Sequence, residues 1–156
     1  IGADRHDTGM ESWPIFDDTL HLFVAPSHPL LMRTTLSTRD LVGETFVLRE
    51  AGSATRDLAL QTLAKHSIVP VRVIEFEGNE AVKRAVAADM GIGVLSDHTL
   101  AVDYRAGEVV QLPCAEWECR RQFRVLHRHD RMLARAEQAF LDLLGRVPPA
   151  VTERES

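Results

Sequence analysis

The stretch that decides the fold is residues 46–64, FVLREAGSATRDLALQTLA. Its first residues, Phe46–Leu48, form a short apolar run typical of a buried strand, and Gly52 interrupts the chain just beyond them. Helical spacing on one face follows at Ala59, Leu60, Leu63 and Ala64. The stretch therefore predicts a strand, a tight loop and a helix in succession, with the helix running to about His66.

The same alternation of short apolar runs and helical spacing recurs along the chain. Further strands are predicted at Leu20–Ala25, Val71–Phe76, Gly91–Leu95, Val109–Leu112 and Arg120–His127. Helices are predicted at residues 38–41, from Asn79 as N-cap, over residues 99–105 and over residues 133–144. Residues 1–19 are expected to be irregular, because Gly2, Gly9 and Pro14 break any period. The pattern predicts an α/β fold with a largely parallel sheet.

Composition excludes several classes of protein. The 156 residues are 45% apolar and 26% charged, which are ordinary globular values rather than those of a disordered or disulfide-stapled chain. No apolar run approaches the ~20 residues that span a bilayer, so no membrane association is expected. The net charge of −5 argues against nucleic-acid binding by these residues themselves. Only two cysteines occur, Cys114 and Cys119, and reduced thiols in a cytoplasmic protein are expected.

The loop that leads into the helix after Gly52 is the strongest candidate for a binding site. Ser53 or Thr55 can cap the helix, and the N–H groups of the first turn attract an anion. Arg56 adds a charge that would pair with a carboxylate or a phosphate. The competing interpretation is a plain N-cap with arginines facing solvent, since most capped helices bind nothing.

Four segments in order carry a resemblance to a known family. They are residues 18–30 (DTLHLFVAPSHPL), 48–56 (LREAGSATR), 79–83 (NEAVK) and 91–96 (GIGVLS). Together they closely resemble the effector-binding domain of LysR-type bacterial transcriptional regulators, from about Pro14 to Leu144. Within that family the chain looks most similar to regulators of carbon-fixation and sulfur-assimilation operons. It departs from the family pattern at Asp89, where glycine is usual, which predicts mild local strain.

The resemblance implies a periplasmic-binding-protein-like fold of two α/β lobes joined by crossover strands. Residues 27–95 would form a nearly complete second lobe, residues 1–26 and 96–145 part of the first lobe, and residues 146–156 a flexible tail. The DNA-reading winged helix-turn-helix would lie upstream of Ile1 in a longer protein. No cofactor and no catalytic activity are expected.

The implied function is sensing. A small effector, a carboxylate or a phosphate, would bind in the interlobe cleft, and the protein would act as a dimer or tetramer that contacts DNA only through the missing domain. The ligand-binding residues expected are Gly52, Ser53, Thr55, Arg56 and Asn79. The main alternative is a solute-binding protein of a transport system, which has a similar two-lobe fold.

Other chemistry-bearing residues favour simpler interpretations. Ser27 and His28 are neighbours in an extended segment, so a catalytic pair is disfavoured and a loop role is expected. His127 and His129 with the two cysteines match no standard metal spacing, so no metal is expected. A hydrolase that uses either cysteine has no supporting motif. Six arginines between positions 120 and 135 are expected to form a solvated face.

Overall fold

The computed structural model describes residues 10–128 and 130–144. Its strands are β1 (Met10–Val24), β2 (Thr45–Arg49), β3 (Arg72–Phe76), β4 (Ile92–Ser96), β5 (Val110–Gln111) and β6 (Arg120–Arg128). Its α-helices are α1 (Ala54–Lys65), α2 (Asn79–Ala87), α3 (Asp97–Ala106) and α4 (Arg135–Leu143). Short 3-10 helices occupy Pro29–Met32 and Thr38–Leu41. The α/β prediction and the order of the elements are confirmed.

The sheet is mixed, where the sequence predicted a largely parallel one. Its strand order is β3-β2-β4-β1-β5, and β6 pairs with β1. Strand β2 is parallel to β3 and to β4, whereas β1 is antiparallel to β4 and to β5. The parallel strands are the ones that helices connect, and a crossover helix returns the chain in the same direction. Strand β1 enters between β4 and β5 without such a helix, so it runs the other way.

Alternation along the strands places two apolar clusters on opposite faces of the sheet. Phe46 and Leu48 belong to one cluster, which α1 covers, and Val47 between them belongs to the other, which α2 and α3 cover. Both clusters contain fully buried side chains, including Leu20, Leu63, Phe23 and Leu100. This three-layer arrangement fixes where the helices begin relative to the strands.

The chain divides into two compact units. The larger spans residues 18–121, and the smaller holds residues 10–17 and 122–144 within the described ranges. The larger unit extends beyond the residues 27–95 expected for the second lobe, because β1 and β5 join the same sheet and α3 packs on it. The division into lobes at these positions stays a prediction, and the predicted tail lies outside the described residues.

Residues 10–19 form a strand, so the prediction of irregular structure is wrong for them. In the smaller unit, Phe16 stacks on Phe123 with ring centroids 4.6 Å apart, and Trp13 lies 6.1 Å from the ring of His127. Pairing of β1 with β6, which is remote in sequence, outweighs the local effect of Pro14. Residues 1–9 lie outside the described ranges.

Helix α2 ends at the position where the sequence departs from the family pattern. Asp89 has φ +59°, the left-handed conformation that favours glycine. The N–H of Asp89 donates to the Val86 carbonyl at 2.8 Å, and the N–H of Met90 donates to the Ala85 carbonyl at 3.2 Å. The chain thus forms a Schellman cap with an aspartate in the place of glycine. The left-handed conformation of this aspartate agrees with the local strain that the sequence predicted.

Candidate functional site

Three helices begin at one edge of the sheet. Strands β2, β3 and β4 run in the same direction, and α1, α2 and α3 follow their carboxyl ends. In sheets of this kind, ligands bind beyond the carboxyl ends of the strands. The first turn of each helix also presents N–H groups without an intrahelical acceptor, which gives the edge a partial positive charge.

The start of α1 is open to solvent at the predicted glycine. Gly52 is exposed with φ +88°, and a Cβ added there would meet nothing within 4 Å. Its role is therefore to make the turn rather than to leave room for a neighbour. Ser53 occupies the N-cap position and is half-buried, but its hydroxyl makes no capping hydrogen bond. This leaves the serine side chain available to a ligand.

Thr55 belongs to a hydrogen-bonded network that reaches across the sheet edge. Its Oγ1 accepts a bond of 3.0 Å from Nη1 of Arg121, and Nε of Arg121 donates to Oδ2 of Asp18 at 2.7 Å. The other oxygen of Asp18 accepts from Oγ of Ser96 at 2.6 Å. Arg121 is therefore not part of a solvated face, contrary to the sequence-based expectation for the arginines, because it is drawn to the buried carboxylate of Asp18.

Arg56 is paired within the chain. Its guanidinium donates to Oε2 of Glu75 at the end of β3, and Oε1 of the same carboxylate accepts the Ala51 N–H at 3.0 Å. The Ala51 N–H lowers the pKa of Glu75, and the Arg56 guanidinium lowers it further. The positive charge that was expected to meet a ligand is thus already balanced by an internal carboxylate.

A second such pair lies beside it. Arg49 donates from Nε and Nη2 to both oxygens of Glu50, at 2.7 and 2.6 Å, and from Nη1 to Oδ1 of Asn79 at 2.5 Å. The Gly78 N–H donates to Glu50 at 3.1 Å. The bonds from Arg49 contribute most to lowering the pKa of Glu50 to about 2, so this carboxylate is ionised at neutral pH.

The predicted site residues occupy this edge, with one correction. Asn79 is the first residue of α2 and Gly78 is its N-cap, because Gly78 adopts φ +80° and turns the chain into the helix. The sequence-based reasoning missed Asp18, Glu75, Ser96 and Arg121. Arg121 is 103 residues from Asp18, so no local pattern connects the two. The binding role of Gly52, Ser53, Thr55, Arg56 and Asn79 stays a prediction.

The alternative chemistries find little support in the described residues. Burial raises the pKa of the Cys114 and Cys119 thiols, which opposes a nucleophilic role. His28 accepts the Leu30 N–H at 3.3 Å and Ser27 donates to Asp89 at 3.4 Å. Both side chains therefore have structural partners, and the two do not bond to each other in these contacts. No cluster of three metal-ligating side chains occurs within the described ranges. His129, one member of the histidine pair considered above, lies outside them.

The helices of the described segments are also too short or too polar to cross a membrane, since none combines the necessary length with an apolar sequence.

Comparison with known proteins identifies the family to which this sequence and fold are similar. A model of the LysR substrate binding domain matches residues 1–148. The regulator CfxR of Cupriavidus necator is 39% identical over 139 residues, which are 89% of this chain and 44% of CfxR. CbbR of Rhodospirillum rubrum is 38% identical over 114 residues, 73% of this chain and 38% of CbbR. The chain thus spans less than half the length of these relatives.

Solved structures agree. The regulatory domain of CcmR from Synechocystis PCC6803, in complex with 2-PG, superposes with a TM-score of 0.81 at 31% identity, covering 92% of this chain and 69% of that one. The effector-binding domain of QuiR with shikimate shares the fold, with a TM-score of 0.75 at 21% identity, and covers 92% of this chain and 67% of that one. On the family match and these likenesses, the chain belongs to the LysR substrate-binding domain family.

Proposed function

We propose that this chain is the effector-sensing part of a LysR-type transcriptional regulator. Its ligand is a small metabolite that carries a carboxylate or a phosphate, bound at the start of α1 by Gly52, Ser53, Thr55 and Arg56, with Asn79 beside them. DNA recognition is assigned to a part of the regulator outside the described residues. Ligand binding would shift the population between two arrangements of subunits rather than drive a chemical step.

The observation that carries the proposal is the direction of the hydrogen-bond donors. The Thr55 oxygen accepts from Arg121, so its own O–H proton must point elsewhere and can donate. The Asn79 carbonyl oxygen accepts from Arg49, which turns the NH2 group of the amide away from Arg49 as a further donor. Together with the first-turn N–H groups, these groups offer hydrogen atoms to an acceptor. An anion satisfies such a site, whereas a cation does not.

Charge alone does not define the site, because Glu75 balances Arg56 and Glu50 balances Arg49. Selectivity then rests on oriented hydroxyl, amide and backbone donors. A hydrogen bond to a charged ligand contributes about 1.5–3 kcal/mol, while micromolar affinity requires about 8 kcal/mol. Three or more such donors are therefore needed, which matches the number offered by Ser53, Thr55 and Asn79.

The comparisons support an anionic effector. CcmR, 31% identical to this chain, is solved in complex with 2-PG, 2-phosphoglycolate. That molecule bears both a carboxylate and a phosphate. The curated relatives described above are transcriptional regulators, which does not favour the solute-transport alternative.

The site is tested by measuring ligand affinity calorimetrically with the full-length regulator. The probes are 2-phosphoglycolate and shikimate, a carboxylate without a phosphate. We expect Ser53→Ala and Thr55→Val each to weaken binding of 2-phosphoglycolate by at least about tenfold, the lower end of the effect of one lost hydrogen bond to a charged ligand. Thr62→Val is the matched control, because Thr62 lies in the later turns of the same helix and bonds to the Leu58 carbonyl. Unchanged affinity in both site variants would place the ligand elsewhere.

Assembly is a second element of the proposal. Strand β3 forms one end of the sheet order. Val71, just before it, is 72% exposed, and Val73, within it, is 38% exposed. An exposed strand edge favours pairing with another chain. We expect the protein to form a homodimer or a homotetramer in the cytoplasm, and light scattering measures its mass. Val73→Lys should shift that mass toward the monomer, and a wild-type protein that is monomeric at high concentration would contradict the assignment.

A further inference from the structure

Asp18 and Arg121 mark the two ends of the larger compact unit. Asp18 is its first residue on β1, and Arg121 is its last residue on β6. The strands lie side by side here, since the Leu20 N–H donates to the Cys119 carbonyl at 2.8 Å. The Asp18 side chain is only 1% exposed and that of Arg121 is 18% exposed, so water screens their ion pair weakly.

Arg121 connects this pair to the start of α1. Its Nε bonds to Asp18 while its Nη1 bonds to Thr55, so one planar guanidinium serves two partners in fixed directions. Asp18 is itself held on its other oxygen by Ser96, which is the last residue of β4 and stands at the N-cap position of α3. Three side chains from three strands therefore form the chain of hydrogen bonds that ends at the Thr55 hydroxyl.

We infer that Arg121 is a positioning residue for the ligand site: it orients the Thr55 hydroxyl so that its proton donates to a bound anion, and Asp18 and Ser96 hold Arg121 in place. The inference rests on the proposed function, because it assigns Thr55 to the ligand. It adds residues from β1, β4 and β6 to a site whose predicted residues lie only at the starts of α1 and α2.

Substitution by lysine separates orientation from charge. A lysine at position 121 keeps a positive charge beside Asp18, but an ammonium group on a flexible stem lacks the rigid fork that reaches both partners at fixed angles. We therefore expect Arg121→Lys to preserve the fold and to release Thr55. Arg124→Lys is the matched control, since Arg124 lies on the same strand and bonds to Ser12 and Gln122 instead.

The experiment is a double-mutant cycle on the intact natural chain, with 2-phosphoglycolate as the calorimetric probe. Arg121→Lys and Thr55→Val should each weaken binding by about tenfold, and the double variant should also lose about tenfold, because Arg121 acts through Thr55. Thr55→Ser keeps the hydroxyl and should retain most of the affinity. Urea unfolding confirms that each variant is folded, and Arg121→Gln replaces the lysine variant if that variant is unfolded.

Two results would overturn the inference while the proposed function stands. One is a wild-type protein that binds the probe and an Arg121→Lys variant that binds it equally well. The other is a double variant whose loss is the product of the single losses, about a hundredfold, as expected for independent structural effects. A wild-type protein that binds neither 2-phosphoglycolate nor shikimate would instead overturn the proposed function and this inference with it.

Discussion

Substitution of Gly93 by alanine measures how closely the sheet packs around β4. Gly93 lies opposite Phe23 on β1, and the added methyl group would stand 2.3 Å and 2.4 Å from two carbons of the Phe23 ring. A methyl carbon of Val86 on α2 would lie 2.8 Å from the same added group. Ordinary contacts begin at 3.4 Å, so the fully buried ring must move by about an ångström into a filled core.

We expect Gly93→Ala to lower the free energy of unfolding by about 2 kcal/mol. Overpacking of a core costs about 1–3 kcal/mol, and the gain of about 0.5–1 kcal/mol from replacing glycine within a strand offsets only part of it. Urea unfolding followed by circular dichroism gives the value, as a lower midpoint with an unchanged slope. The clash also explains why there is a glycine at position 93, within one of the four segments that resemble the family.

Phe23→Leu provides the control, because leucine lacks the two ring carbons that the methyl group meets. This change alone should cost about 1 kcal/mol for the space it leaves. In its presence, Gly93→Ala should cost less than about 1 kcal/mol, so the two effects should not add. An equal cost of Gly93→Ala in both backgrounds, or none in the wild type, would refute the packing argument.

Three further predictions concern the stability of the fold and its dependence on pH. Asp89→Gly should raise the free energy of unfolding by about 0.5 kcal/mol in urea titrations, since glycine relieves the left-handed conformation, and a loss of stability would contradict this. Lys83→Met should lower it by about 3 kcal/mol by leaving the buried Asp103 without its 2.8 Å partner, and Lys83→Met with Asp103→Leu should recover most of that loss. In the folded protein the pKa of Glu50 is about 2, below its ordinary value of 4.5. The contribution of the ionised carboxylate to the free energy of unfolding is therefore complete above pH 4.5 and is lost as the pH falls toward 2. Melting temperatures should therefore fall less steeply over that interval in Glu50→Gln than in the wild type, and parallel curves would count against the pairing with Arg49.

Local periodicity was sufficient to predict most of the fold. The strand–loop–helix of residues 46–64 needs no distant partner, and β2 and α1 occur where Phe46–Leu48 and the apolar spacing place them. The prediction was wrong where a distant strand decides the outcome. Residues 10–19 become part of β1 by pairing with β6, and β1 enters the sheet against the direction of its neighbours.

The candidate site divides in the same way. Gly52, Ser53 and Thr55 are close in sequence, and their residue types predict the turn and the N-cap position of α1, although the Ser53 hydroxyl makes no capping bond. The partners that orient them cannot, since Arg121 reaches Thr55 across 66 positions and Glu75 reaches Arg56 across 19. A charged side chain carries no sequence signal for its partner. The same uncertainty led the arginines near position 121 to be interpreted as a uniformly solvated group.

The crossed bonds at the sheet edge also bear on which changes of sequence this chain can accept. Glu50, after β2, holds the Gly78 N–H before α2, and Glu75, on β3, holds the Ala51 N–H before α1. Because each loop contributes a backbone atom, substitutions at position 51 leave that bond intact, whereas an inserted or deleted residue in either loop would displace both. The lengths of the two loops are thereby constrained jointly, while the exposed side chain at position 51 takes part in neither bond and is free to vary. New ligand preferences can then arise by point substitution alone, without rebuilding the frame that presents them.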